Sequence, residues 1–284
     1  MSESSFDQFR RMMDAMEFET LPLFSRSHFS WHLKTDYVGR RLVYRPVSES
    51  TQDDARRMLE RFRLSAGAVV LAETQTAGRG RAGRSWVSPP DVSLYFTLLM
   101  QPEPAALRSL AYLAPLAAAL AVEEISAAAG RELRADLKWP NDVLIDGKKV
   151  AGALIETTEH EGRLLALIGV GINVNLDVEA YPEIVAIATS VKQALGFAVE
   201  REELLALFCN HFESLYEAAK GGDKAPFAAW RDRLVTLGSA VVASGAGTRV
   251  EGIAVDVAED GALVIERAGG ERVSVEAGDV TLRV

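Results

Sequence analysis

Thr76-Ala-Gly-Arg-Gly-Arg-Ala-Gly-Arg-Ser-Trp-Val-Ser-Pro-Pro90 stands between two apolar runs, Ala68-Val-Val-Leu-Ala-Glu73 and Ser93-Leu-Tyr-Phe-Thr-Leu-Leu99. Both runs are short, partly β-branched or aromatic, and bounded by turn residues. They read as strands, and the stretch between them reads as the loop that joins them. Gly78, Gly80 and Gly83 let the loop backbone take a positive φ and approach a ligand closely. Arg79, Arg81 and Arg84 add guanidinium forks shaped for carboxylate or phosphate, and Trp86 adds a flat face. Such a stretch also reads as a plain solvated turn or as a glycine–arginine segment of the nucleic-acid-binding kind.

Upstream, Tyr37-Val-Gly-Arg-Arg-Leu-Val-Tyr-Arg-Pro-Val47 alternates as a strand does, and residues 48–55 open an amphipathic helix running to about residue 63. Ser50 or Thr51 suits the N-cap, with Asp53 and Asp54 in the first turn. The same hydroxyls also suit a small polar ligand at the helix start. Phe6, Phe9, Met12, Met13 and Met16 recur at helical spacing, which predicts a helix over 6–18, followed by an irregular stretch to about residue 34. That is too little chain for a helix-turn-helix domain. His28 and His32 are four apart and suit one helix face; with no third ligand nearby in sequence, packing or surface roles are expected.

Downstream, residues 107–129 predict a helix closed by Gly130. The run from Leu133 to Ile145 meets Asp146-Gly147, a hairpin signal, before Lys148-Lys-Val-Ala-Gly-Ala-Leu-Ile-Glu156. Asn141 and Asp142 suit a turn after Pro140. Yet Lys138, Trp139, Asn141, Asp142 and Lys149 set dense polar chemistry beside strands apolar enough to be core. Residues 163–170 predict a further strand ending in Gly169-Val-Gly-Ile-Asn-Val-Asn175, where Asn173 offers an amide able to read a planar amide or base edge. No helix with a third glycine follows, so this is not a dinucleotide fingerprint. Helices are expected at 190–195, 202–220 and 226–234. From residue 238 the pattern changes to five short alternating runs between glycine-containing turns, a small barrel-like unit that needs a neighbour for stability.

The 284 residues, 48% hydrophobic and 25% charged, have ordinary globular composition. A formal net charge of −9 argues against a nucleic-acid partner. The one cysteine, Cys209, excludes an internal disulfide, suits the reducing cytoplasm, and lies in an apolar helical pattern that makes it a core thiol. The apolar run 110–125 carries Glu123 and Glu124 and reads as a buried helix, not a membrane span. No signal-peptide pattern opens the sequence.

Four separated stretches occur in order: Gly78-Arg-Gly-Arg-Ala-Gly-Arg84 with Trp86, Lys138-Trp-Pro-Asn-Asp142, Lys149-Val-Ala-Gly152 and Gly169-Val-Gly-Ile-Asn173. Together they resemble the biotin protein ligases, the biotin–[acetyl-CoA-carboxylase] ligase family, from about residue 33 to the C-terminus. The resemblance implies an α+β fold: a mixed-sheet catalytic core like that of class II aminoacyl-tRNA synthetases over 35–237, then an SH3-like barrel over 238–284, with 1–34 as an extension. It implies a cytoplasmic enzyme that uses ATP and Mg²⁺ to turn biotin into biotinyl-5′-AMP and then acylates one lysine of a biotin carboxyl carrier protein, such as that of acetyl-CoA carboxylase. The chain is similar to the monofunctional members, so neither operator binding nor a membrane partner is expected.

By the same resemblance, Ser50, Thr51 and Gln75 lie around the biotin ureido group, and Gln52 stands where the family usually has Asn. Gly78, Arg79, Gly80 and Arg81 correspond to the loop that closes over biotin and the adenylate. Lys149 matches the active-site lysine near the biotin carboxylate and α-phosphate, and Asp142 matches a metal-associated or charge-organising carboxylate. Trp86 matches the adenine-stacking tryptophan, and Asn141 and Asn173 match adenine-reading amides. Lipoate ligases and octanoyltransferases share the core, but the Gly-Arg-Gly-Arg loop and the Lys138–Asp142 stretch favour biotin. A non-enzymatic adaptor built on the β-rich tail is the alternative of another class, and it predicts no pyrophosphate release.

Overall fold

The computed structural model describes residues 24–62, 64–103, 106–245, 248–276 and 278–282. The helix expected over 6–18 lies outside them. A seven-stranded sheet forms the centre, built from β1 (Leu42–Ser48), β2 (Val69–Gln75), β3 (Leu94–Met100), β4 (Asp136–Lys138), β5 (Asp142–Ile145), β6 (Lys148–His160) and β7 (Arg163–Ile172). Its order is β1-β2-β3-β7-β6-β5-β4. Only β1 and β2 are parallel, joined through helix α2 (Thr51–Phe62); the other neighbours are antiparallel. Helix α1 (Arg26–His32) precedes β1.

Both faces of the sheet are covered, which explains why its central strands are apolar without a break. In β7, Ala166, Ile168, Val170 and Ile172 face one cluster while Leu165 and Leu167 face the other, with the period of two that a strand imposes. The smaller cluster is closed by Ala55, Met58 and Leu59 of α2. The larger face is covered by α1, α3 (Leu110–Ala128) and α5 (Arg201–Lys220), and it holds Phe29, Phe208, Phe212 and the buried thiol of Cys209. Helix α3 is apolar all round because it is enclosed by the sheet and α5, and Gly130, at φ 69°, follows its end. It is also the one described helix long and apolar enough to cross a membrane; 72% of its apolar window is buried inside the protein. The short helices α4 (Val191–Leu195) and α6 (Ala225–Arg231) flank α5.

One expected strand is shorter than the alternation suggests. Residues 36–41 form a turn rather than the start of β1, because Gly39 sits at φ 78° and the Glu213 carboxylate accepts from the amides of Asp36, Tyr37 and Val38. The run from Leu133 is split into β4 and β5 at a cis Trp139-Pro140 bond. The Asp146-Gly147 hairpin forms as expected, with φ of 49° and 76°. A buried ion pair, Arg201 Nη1 to Glu73 Oε2 at 2.6 Å, ties α5 to β2. Beside it, burial and the Glu73 carboxylate push the Asp91 carboxyl up to about 6.

The C-terminal part, expected to be an SH3-like barrel, is a five-stranded antiparallel sheet: β8 (Ala240–Gly245), β9 (Thr248–Val257), β10 (Leu263–Glu266), β11 (Arg272–Val275) and β12 (Asp279–Leu282), in the order β11-β10-β9-β8-β12. It joins the same apolar core through Val241, Ala243, Val250 and Ala254. At the junction, Trp139 donates its backbone amide to Thr236 Oγ1 at 2.9 Å and its indole N–H to Gly261 O at 2.8 Å. Arg231 meets Asp256 at 2.8 Å and Arg108 meets Asp260 at 2.6 Å.

Candidate active site

A cavity of about 440 Å³ gathers residues from the start of α2, the end of β2, the loop 76–90, the β4–β5 turn, β6, β7 and the segment 184–188. Every residue that the resemblance assigns to the site lines it except Gly78; Gly83 and Trp139, also singled out in the sequence, do not. The volume is that of a small-molecule site.

One end is built from hydroxyls and amides. Parallel pairing of β1 with β2 sets Ser48 beside Gln75, so the start of α2 meets the end of β2. Gln75 Oε1 accepts from the Thr51 amide at 2.9 Å, and the Thr97 hydroxyl donates to Thr51 Oγ1 at 2.8 Å. The Thr51 side chain is therefore anchored to the sheet and does not serve as the N-cap its position suggested. Ser50 is buried beside it. Gln52 is buried too, and its Nε2 donates to Leu154 O at 3.0 Å and reaches Leu167 O at 3.3 Å, joining α2 to β6 and β7. A Cβ at Gly169 would stand 2.9 Å from Gln52 Cδ. The first glycine of the Gly169-Val-Gly171 stretch thus makes room for this amide.

The loop 76–90 is folded as a tight hairpin. Trp86 N donates to Gly78 O at 2.9 Å, Gly80 N donates to Arg84 O at 2.6 Å, and Ala82 and Gly83 turn the chain at φ 53° and 73°. Gly78 is buried behind the cavity wall, where a Cβ would stand 2.8 Å from Ser88 Oγ and Trp86 O; its role here is close packing. Arg79 folds back onto Asp53 at 2.5 Å and Glu156 at 3.5 Å. The guanidinium holds the Asp53 carboxyl below the usual carboxylate range. Arg81 Nη2 donates to Gly278 O at 2.9 Å, so the hairpin reaches the C-terminal sheet.

The charged centre is Lys149, whose Nζ lies 2.5 Å from Asp142 Oδ1 and 5.0 Å from the centroid of the Trp86 ring. The pair comes from β5 and β6, which the Asp146-Gly147 hairpin folds together. Trp86 lies on a floor without side chains: Gly152 and Gly171 are cross-strand partners in β6 and β7. A Cβ at Gly171 would stand 2.5 Å from Trp86 Cε2. The Trp86 Nε1 is buried without a hydrogen-bond partner among the described residues. An indole N–H in that position is a donor waiting for an acceptor.

Asn141 donates its amide to Ala153 O, and Asn173 donates its amide to Thr189 O at 3.0 Å. One N–H of each amide is taken by backbone, which fixes both residues in the wall; a second N–H and the amide oxygen complete each group. Sequence reasoning missed the segment 184–188. Lys149 N donates to Ile187 O and Thr189 N donates to Lys149 O, each at 2.9 Å, so this segment lies against the lysine. Ile187 is 64% exposed at the cavity edge. Its only sequence signal was a short apolar run between Pro182 and Ser190. Asp142 is the one carboxylate among the residues lining the cavity.

Two family models match: the Biotin/lipoate A/B protein ligase family over 44–175, and the Biotin protein ligase C terminal domain over 236–283. The chain is 36% identical over 215 residues to the biotin–[acetyl-CoA-carboxylase] ligase of Paracoccus denitrificans, covering 74% of this chain and 88% of that one. It is 33% identical over 261 residues to the bifunctional ligase/repressor BirA of Bacillus subtilis, covering 91% and 79%. Among solved structures, the biotin protein ligase of Aquifex aeolicus in complex with biotin and ATP is similar with a TM-score of 0.73 at 30% identity, over 86% of this chain and 99% of that one.

Proposed function

The chain belongs to the biotin protein ligase family, and from that membership we infer that it joins biotin to ATP as biotinyl-5′-AMP and passes the biotinyl group to a lysine of a biotin carboxyl carrier protein. The observation that carries the reading is one cavity holding a fixed polar end (Ser50, Thr51, Gln75), a cationic centre (Lys149) and an aromatic face (Trp86). Those are the complements of a cyclic urea, a carboxylate meeting a phosphate, and a purine.

In the first step a biotin carboxylate oxygen forms a bond to the α-phosphorus of ATP, the bond from that phosphorus to the bridging oxygen breaks, and pyrophosphate leaves. Two like charges about 4 Å apart repel by roughly 4 kcal/mol at an effective dielectric of 20, so cationic groups must offset the approach. We assign that task to Lys149 and Arg81. Drawn by the incoming anions, Lys149 leaves Asp142 and the Trp86 face, which frees the ring for adenine. In the second step an unprotonated carrier lysine attacks the acyl carbon of the mixed anhydride, AMP leaves, and the amine releases a proton. Positioning and charge stabilisation suffice for both steps, with no covalent enzyme intermediate.

Asp142, as the lone carboxylate of the cavity, suits Mg²⁺, which is usually held by one or two carboxylates together with substrate phosphates. Bound there, the ion would neutralise phosphate charge. We place the catalytic unit at 35–237 and the SH3-like unit at 238–284, after an extension over 1–34, and the reaction in the cytoplasm. The test is biotin-dependent exchange between ATP and labelled pyrophosphate, followed by transfer to a carrier domain, with lipoate as the competing acid. Exchange with lipoate but not biotin, or with neither, refutes the reading.

A further inference from the structure

His28 and His32, on the outer side of α1, do not pack into the core; they face one another and the start of α5. Their Nε2 atoms lie 3.3 Å apart, with ring centroids separated by 5.0 Å. On the other side of each ring, His28 Nδ1 faces Glu200 Oε2 at 3.8 Å and His32 Nδ1 faces Glu203 Oε1 at 3.7 Å. The carboxylates on the Nδ1 sides leave the two Nε2 atoms turned toward a common point. At these distances the carboxylates stand just outside hydrogen-bond reach, and a small side-chain rotation brings each onto its Nδ1, the carboxylate-backed arrangement common to metal-binding imidazoles.

The spacing fits a shared ion. With metal–nitrogen bonds of about 2.05 Å and a tetrahedral angle, two imidazole nitrogens on one zinc stand about 3.4 Å apart. Without an ion the same contact is a hydrogen bond from one ring to the other, which a shared metal replaces. Carboxylate oxygens are also at hand: His28, Glu200 and Glu202 bring one ligand atom each within 4.8 Å of one another, although Glu202 Oε1 already accepts from the Ser25 amide at 2.6 Å. The chain has four histidines. His211 is taken by Glu124 at 2.7 Å, and His160 is at the far end of β6.

We propose that His28 and His32 form a surface site for a borderline divalent transition metal such as Zn²⁺ or Ni²⁺, bound through both Nε2 atoms, with Glu200 and Glu203 orienting the rings and water completing the shell. Nitrogen ligands favour these ions over Mg²⁺, so the site is chemically separate from the nucleotide-associated ion. Both ligands sit on α1 and both backing carboxylates lie at the start of α5, so occupancy reinforces the contact between the two elements. The proposal does not rest on the ligase reading.

The experiment uses the full chain without an affinity tag, titrated with Ni²⁺ in the presence of excess Mg²⁺. Calorimetry gives the stoichiometry. Trp31, 84% exposed on the same helix, gives a local optical signal, isolated by subtracting the Trp31→Phe variant. The expected result is one equivalent of Ni²⁺, quenching of Trp31, and a melting midpoint that rises with metal. His28→Gln and His32→Gln should each weaken binding at least tenfold, Glu203→Gln severalfold, and His211→Gln not at all. Absence of saturable binding overturns the proposal. So does binding that survives His32→Gln, which would move the ion to His28, Glu200 and Glu202. Melting in chelator confirms that each variant is folded; Glu203→Gln, which leaves both ligands in place, keeps the test decisive if a histidine variant is not.

Discussion

Replacing Gly171 by alanine should damage nucleotide use while leaving the fold intact. A Cβ there would lie 2.5, 2.6 and 2.7 Å from Trp86 Cε2, Cζ2 and Nε1. Ordinary carbon contacts begin near 3.5 Å, so the indole must retreat by about 1 Å. Gly171 takes no positive φ, so the strand accepts alanine, and alanine recovers roughly 0.5–1 kcal/mol of backbone entropy relative to glycine. Overpacking costs about 1–3 kcal/mol where nothing can yield, but Trp86 belongs to a surface hairpin and can move. The net effect on stability should be within about 2 kcal/mol. At the site, a base–aromatic contact worth roughly 1–3 kcal/mol is lost or misaligned, which raises the KM for ATP by about 5- to 150-fold. The assay is biotin-dependent ATP–pyrophosphate exchange across ATP concentrations, with biotin binding measured separately and expected to change less. A double-mutant cycle with Trp86→Ala sharpens it: if Gly171 acts through the indole, the second substitution adds little. An ATP KM within twofold of the parent, or additive effects, refutes the account of the glycine floor.

Lys149→Ala should fold normally and slow adenylation strongly, since its ammonium, paired with Asp142, is the cation proposed to meet the carboxylate and phosphate; normal pyrophosphate exchange would remove it from the chemistry. Trp86→Ala should weaken ATP more than biotin, and calorimetry with biotin present checks the order. Hydrogen exchange over residues 78–84 should slow when biotin or the adenylate binds, as ligand anions replace intramolecular partners of the arginines. Arg81→Gly, which also removes the bond to Gly278, should release biotinyl-AMP faster; equal protection with and without ligand and an unchanged off-rate would make the hairpin a fixed wall. The Asp91 carboxyl titrates at about 6 in the folded chain, against an ordinary value of 3.8. The native state therefore holds the extra proton, and stability should fall as pH rises from about 4 to 6 and then level off. The full shift corresponds to about 3 kcal/mol, and solvent screening of this partly exposed group brings it to the order of 1 kcal/mol. Denaturant melts of Asp91→Asn should lack that decline.

The paired strands around residues 76–90, the Asp146-Gly147 hairpin, the alanine-rich helix and the change to short β-runs after residue 238 were all legible in the sequence. Each rests on local signals: a period of two or 3.6, a turn dipeptide, a terminating glycine. The ordered motifs also marked the residues that line the cavity, because backbone approach, anion binding and stacking each demand particular residue types. Local pattern did not say which partner each residue has. Arg79 reads as a ligand-binding fork, yet it lies on Asp53 and Glu156, 26 and 77 positions away. Gly169 and Gly171 stand in a Gly-x-Gly run that names no partner by itself, and in the fold they accommodate Gln52 and Trp86. His28 and His32 read as a pair without a third group, until α5 brings Glu200 and Glu203 beside them. The segment 184–188 carries almost no motif and becomes part of the site only because its backbone pairs with Lys149. Local signals report the free energy of a few consecutive residues. The contacts that set side-chain direction, charge pairing and cavity shape depend on strand register and on which faces meet across the core, and those are fixed only when distant parts of the chain pack together.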